Sequence, residues 1–218
     1  MKTSDHIIAI IKAGLTATSP IGGFLASLIG DYIPMSTQKS IETSIEYLKE
    51  KLKKLENRID FNTIDKDEFA EIFKSAYFII VRTHQNKKLN AATSLISNIL
   101  LKHDDHEKLT YTELDHFSRS LDTLSIGAIN ILAIIVKIAR DKNYNGDHDS
   151  YNLTFRVIRE NADEYEPHLI MGLLGELNTF NLIHIPGIPT VRLENYDNYA
   201  IQLTPLGFRF AIRLLIID

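Results

Sequence analysis

Between Asp122 and Lys137 the chain carries no charged side chain, and the intervening run, TLSIGAINILAIIV, is apolar around every turn of a helix. The Ser125 hydroxyl is placed to cap a helix over 126–140. A helix apolar on all sides has no solvent face, so other elements must surround it. The uncharged run is shorter than the ~20 residues that cross a bilayer. Its surroundings must therefore be protein.

The residues that follow have to supply that cover. A polar loop, 141–150, leads to a short helix over about 151–161 and another from Pro167 to Thr179. Then come three β-prone runs, LIHI (182–185), TVRL (190–193) and YAIQLT (199–204), divided by a Pro-Gly-Ile-Pro break and an Asn/Asp-rich turn. Thr204-Pro205 opens a closing helix that ends near Leu215. Three helices, a small antiparallel β-hairpin and a closing helix make the order of a winged helix. The sequence thus predicts a mainly α protein with a C-terminal winged-helix-like domain over 123–218.

Residues 1–122 read as a helical bundle, with no competing strand pattern. Ser36 is the expected N-cap of its clearest helix. Ile41, Ile45, Leu48, Leu52, Leu55 and Ile59 then recur at alternating spacings of four and three, a seam of about three heptads. Such a seam packs inside the molecule or joins two copies as a homodimer; its shortness favours the first. Asp65 with Glu68 caps the next helix, whose apolar face is Phe69, Ile72, Phe73, Ala76, Tyr77 and Ile80. A further helix is expected from Lys87 to Lys102. After the polar block Lys102–Lys108, Thr110 and Glu113 form a second capping box, ahead of Leu114, Phe117 and Leu121.

The N-terminus stands apart. No charge lies between Lys12 and Asp31, and the stretch AGLTATSPIGGFLASLIG holds Gly14, Gly22, Gly23 and Gly30. Ser19-Pro20 can start a helix carrying Ile21, Phe24, Leu25, Leu28 and Ile29, although each glycine costs about 1 kcal/mol relative to alanine. Packing must offset that cost. The segment is either buried against the bundle or inserts into a partner or a membrane.

Charge and motifs limit the chemistry. The 218 residues carry a net charge of −4, which argues against a strongly cationic binder of nucleic acid or anionic membranes. There is no cysteine, hence no disulfide framework and no thiolate metal site. With no secretory signal pattern, the cytoplasm is the expected location, peripheral to the inner membrane if the N-terminus engages lipid. Phosphate-loop, dinucleotide and nucleophile-elbow motifs are missing, so a non-enzymatic role without a cofactor is expected.

The helix in the recognition position, EPHLIMGLLGELNT (166–179), is poorly suited to DNA. From Asn161 to Thr190 there is no Lys or Arg, while Asp163, Glu164, Glu166 and Glu176 are negative. A DNA reader needs cations on phosphates and donors at base edges. Arg156, Arg159 and Arg192 are too sparse to reverse this. A protein partner is therefore expected, with a dimeric DNA-binding regulator as the alternative.

One loop suggests a hard cation. Asp141, Asn143 and Asn145, then Gly146, Asp147 and Asp149, follow the opening of a calcium loop. Position 12 is Asn152 rather than a bidentate glutamate, and position 8 is His148, so only a low-affinity Ca2+ site would result. A helix-joining turn with left-handed Asn and Gly explains the same composition. His103-Asp104-Asp105-His106 reads as a solvated connector, and Gly172 and Gly175 sit in an apolar helix rather than a nucleic-acid loop.

The order SPIGG, YTELDHFSRSLDTLSIGAINIL, LLGELNTFNLIHI and AIQLTPLGFRFAIRLL resembles the bacterial abortive-infection alpha family and related helical proteins with winged-helix C-termini. The likeness spans about residues 60–215 and rests mainly on structural positions. It implies a role in bacterial defence against phage and carries no catalytic residues. The expected function is that of an interaction or effector protein.

Overall fold

A computed structural model describes residues 35–60, 64–146, 149–186 and 193–215, with side chains described from residue 39. Two compact units, Met1–Asp122 and Thr123–Asp218, divide the chain.

The first unit contains α1 (Met35–Lys54), a 3-10 turn (Glu56–Arg58), α2 (Lys66–Arg82), α3 (Asn86–Ile99) and α4 (Tyr111–Thr123). α3 is its centre: every residue from Ala91 to Ile99 is buried, with α1 and α2 packed on it. Alanine and serine dominate the first half of that stretch and let the neighbours approach closely. The buried hydroxyls are satisfied within the helix. Thr93 and Ser94 donate to the Asn90 carbonyl at 2.7 and 3.1 Å, and Ser97 donates to Ser94 at 3.1 Å. Burial of a hydroxyl is tolerated only with such partners.

Helix ends follow local chemistry. The Asp65 carboxylate accepts from the Asp67 and Glu68 amides. Thr110 and Glu113 cap each other: the Glu113 carboxylate takes the Thr110 amide, and the Thr110 hydroxyl takes the Glu113 amide. Ser36, expected as a cap, lies instead inside α1. The heptad seam is also shorter than its spacing implies. Ile41, Ile45 and Leu52 are buried and Leu48 is half-buried, but α1 stops at Lys54. Leu55 and Ile59 belong to the turn beyond it, and Ile59 forms an isolated bridge with Leu101. That bridge also ends α3 before the expected Lys102.

The second unit runs α5 (Ile126–Asp141), β1 (Tyr151–Thr154), α6 (Phe155–Glu160), α7 (Pro167–Thr179), β2 (Ile183–His184), a 3-10 turn (Leu193–Asn198), β3 (Ala200–Leu203) and α8 (Pro205–Phe210), which continues as a π turn over Ala211–Leu215. No residue from Leu124 to Val136 is exposed, as the uncharged run requires. Ser125 caps α5 through the Ala128 amide. Gly127 lets α7 close on α5: a Cβ there would meet Leu173 at 2.9 Å.

Strands β1, β3 and β2 form an antiparallel sheet in that order, with Tyr151 opposite Leu203 and Ile183 opposite Leu203 on the other side. Two expectations are corrected. Residues 151–154 are strand, not the start of a helix, because they pair with β3. Leu193 begins a 3-10 turn rather than ending a strand, and residues 190–192 lie outside the described part. The fold is mainly helical, with a small three-stranded antiparallel sheet.

Candidate functional site

α7 presents the most informative surface. Pro167 opens it at a position that needs no amide donor. Its far end is closed by Asn181 in the left-handed region, φ 54°. The Leu182 amide donates to the Leu177 carbonyl and the Asn181 amide to Asn178, at 3.1 and 3.0 Å, the paired bonds of a Schellman cap. The corner is then clamped by Thr204. Its hydroxyl donates to the Asn181 and Leu182 carbonyls at 2.7 and 3.0 Å and accepts from the Gly207 amide at 2.9 Å. Gly207 must be glycine: a Cβ would stand 1.8 Å from the Leu182 oxygen. The L-T-P-L-G run of 203–207 is thus a structural lock on the α7–β2 corner.

The two faces of α7 differ sharply. Ile170, Leu173, Leu174 and Leu177 are buried. His168, Leu169, Gly172, Gly175 and Thr179 are exposed, Leu169 to 51%. No heavy atom outside the local helix lies within 4 Å of where a Cβ would stand on Gly172 or Gly175. Glu176 does not charge this face. Its carboxylate accepts from the Ser125 amide and hydroxyl at 2.7 and 2.9 Å, at the N-terminal end of α5 where the helix dipole favours an anion. Asp163, Glu164 and Glu166 are exposed just ahead of the helix. Arg156 pairs with Glu160 and Arg159 with Asp197, both at 2.8 Å. Arg192 is outside the described residues.

The calcium-like loop resolves into a second Schellman cap. Asp141 is the last residue of α5, Asn143 has φ 62°, and the Asn143 and Tyr144 amides donate to Arg140 and Ala139 at 2.8 and 3.0 Å. Tyr144 packs edge-on to Phe208, ring centroids 5.1 Å apart, and its hydroxyl donates to the Asp149 carbonyl. Gly146, φ 83°, faces the same ring. Asn145 is exposed beside it. Asp147 lies outside the described residues. Among the described residues no group of three His, Cys, Asp or Glu side chains is placed to hold a metal ion.

The polar block after α3 is solvated at Lys102, His103, Asp104 and His106, as expected, but Asp105 and Glu107 in it form a clasp on Arg58. Arg58 donates to both Asp105 oxygens at 2.7 and 2.6 Å and to Glu107 at 2.6 Å. These bonds hold the Asp105 carboxyl well below the usual carboxylate range, against the opposing effect of burial. Lys102 adds its ammonium to the Asn57 carbonyl. His106 is 82% exposed and takes no part in a ligand cluster.

The N-terminal residues Ile21, Phe24, Leu25, Leu28 and Ile29 lie outside the described part. Nearby in sequence, the seam has a feature its spacing did not announce. Ile41, Ile45 and Leu48 of α1, with Phe73 and Tyr77 of α2 and Ile96 of α3, line an apolar groove that holds a cavity of about 40 Å³. On another side of α2, Phe78 is 41% exposed, with the Arg82 guanidinium 5.4 Å above its ring. No described helix is long and apolar enough to cross a membrane. Comparison with family models, curated proteins and solved structures finds no match.

Proposed function

We propose that this chain is a non-enzymatic interaction protein whose C-terminal unit is a winged-helix module used to dock a protein partner. The order α5, β1, α6, α7, β2, β3 and the sheet order β1-β3-β2 support the winged-helix assignment. α7 then occupies the recognition position. The observation that carries the functional reading is the exposed face of α7. It offers a leucine, two glycines, a threonine and a histidine, flanked by three exposed carboxylates. Placed in a DNA groove it would add repulsion and release no counterions. The nearest arginines are already committed to Glu160 and Asp197.

The family likeness adds the setting: a bacterial cytoplasm and defence against phage, with residues 13–30 delivered to a partner or to the inner membrane. Titration of the full chain with duplex DNA at low salt tests the module. No change in anisotropy is expected. Salt-sensitive binding would instead establish the regulator alternative. Growth arrest on induction, and its loss when residues 1–35 are deleted, tests the effector role; undiminished toxicity of the deleted chain would sink it.

A further inference from the structure

We propose that Lys51 is a site of covalent acylation, taking its acyl group from a small acyl phosphate. The inference concerns the first unit alone and does not depend on the docking face of α7.

Lys51 sits where a lysine is seldom left. It belongs to the last turn of α1, which packs on α3. Long cationic side chains ordinarily keep the ammonium in water. Here the side chain is half-buried, and its Nζ reaches to α3 and donates to the Asn90 Oδ1 at 2.7 Å. That acceptor is a neutral amide. Among the described residues no carboxylate pairs with the Lys51 ammonium. Glu50 is exposed and adjacent in sequence, but adjacent positions on a helix do not face each other. Lys54, three residues on, shares the helix face and brings a second positive charge. Burial first, and Lys54 second, favour the uncharged amine over the smaller opposing pull of Glu50, and bring Lys51 down to about 8 from 10.5.

Desolvation beside a second cation is how a lysine amine becomes a nucleophile. Near pH 7.5 about a quarter of Lys51 is uncharged, against about a thousandth of a lysine at the ordinary value. The bond to Asn90 occupies one N–H and leaves the nitrogen lone pair for attack. That pair adds to the carbonyl carbon of the acyl phosphate, forming a C–N bond. The C–O bond to phosphate breaks, inorganic phosphate leaves with its electrons, and the extra amine proton passes to solvent. Two features select the donor. A half-buried amine admits a small molecule, and the exposed Lys54 ammonium is a point charge suited to the phosphate. The product amide N–H can still donate to Asn90, and the charge without a counterion is gone from the α1–α3 contact.

The full chain is incubated with acetyl phosphate at pH 7.5, and initial acetylation rates are read lysine by lysine by mass spectrometry. Lys49 and Lys53, exposed on the same helix, serve as internal references. Lys51 is expected to react roughly tenfold faster than either, because its excess of free amine outweighs its lower basicity and its burial. By about pH 10 the references are largely competent too, and the order should reverse. A rate at Lys51 equal to or below the references at pH 7.5 would overturn the proposal. Lys54→Gln, at an exposed position, gives a second readout. It is expected to slow Lys51 severalfold and leave Lys49 as it was, and an unchanged rate at Lys51 counts against the site.

Discussion

Two glycine-to-alanine substitutions in the second unit should have opposite signs. At Gly207 a Cβ would stand 1.8 Å from the Leu182 carbonyl oxygen, 2.6 Å from its carbon and 2.9 Å from its Cα. All three atoms are backbone, so no rotamer change relieves the clash. The α7–β2 corner must move away from α8 by more than 1 Å. The Thr204 amide and hydroxyl bonds to Leu182, at 3.3 and 3.0 Å, then lengthen. Overpacking costs about 1–3 kcal/mol, and each weakened bond about 1 kcal/mol. Alanine recovers about 1 kcal/mol of helix propensity. The net loss is about 3 kcal/mol. At Gly172 the same methyl meets nothing within 4 Å, so only the propensity term remains, a gain of about 0.5–1 kcal/mol. Urea unfolding followed by far-UV circular dichroism reads both. With a slope of about 1–3 kcal/mol/M, Gly207→Ala should lower the midpoint by about 1–3 M and Gly172→Ala raise it by a few tenths. Equal effects of one sign would refute the close-approach account of Gly207.

Asn143 and Asn181 should tolerate glycine but not valine: Asn143→Val costs about 1–2 kcal/mol through its left-handed φ, whereas Asn143→Gly leaves the thermal midpoint nearly unchanged. Arg58→Ala should cost about 2 kcal/mol by leaving the Asp105 carboxylate, 8% exposed, without its partner. Because the folded Asp105 titrates below the unfolded value of 3.8, its contribution is present above about pH 4 and lost as the pH falls. The variant should therefore show a flatter acid limb in stability measured against pH. Lys51 works in the other direction. Burial, then Lys54, pushes it down to about 8 from 10.5. The unfolded chain holds its proton over that interval, so stability rises between pH 8 and 10.5, and Lys51→Met should remove that rise in urea midpoints.

Local chemistry decides most of the helix starts, although Ser36, a cap by its residue type, falls inside α1. Asp65, the Thr110–Glu113 pair and Ser125 cap their helices because their partners lie two or three residues away. The uncharged run has to be covered, and none of its residues from Leu124 to Val136 is exposed. Failures came from distant partners. YNLT extends a helical pattern on its own and becomes β1 only by pairing with residues 200–203. The seam is cut at Lys54, ahead of a turn that Arg58 anchors to Asp105, 47 positions on. Asp105 looked solvated for the same reason. The Asn-Gly loop was ambiguous because a cation loop and a Schellman cap both need left-handed residues. The Ala139 and Arg140 carbonyls account for Asn143 in its described part. The groove of the first unit arises from the spacing of three helices, which no single helix encodes.

The outer face of α7 is where folding alone leaves residues without a use. Gly172 and Gly175 each cost the helix about 1 kcal/mol relative to alanine, and neither is needed for packing, since neither touches a neighbouring element. By contrast, a Cβ at Gly127 would press on the end of the Leu173 side chain, and one at Gly207 on the Leu182 backbone. Beside the exposed Leu169, the two outer glycines leave a flat, uncharged strip on which another backbone can come close. Under the docking reading, adding two methyl groups should separate stability from function. Gly172→Ala with Gly175→Ala should raise the unfolding midpoint, by about 1–2 kcal/mol in total, while weakening growth arrest or phage protection. Were activity to rise or hold with stability, these glycines would have no role in docking, and the partner would have to bind elsewhere on the chain.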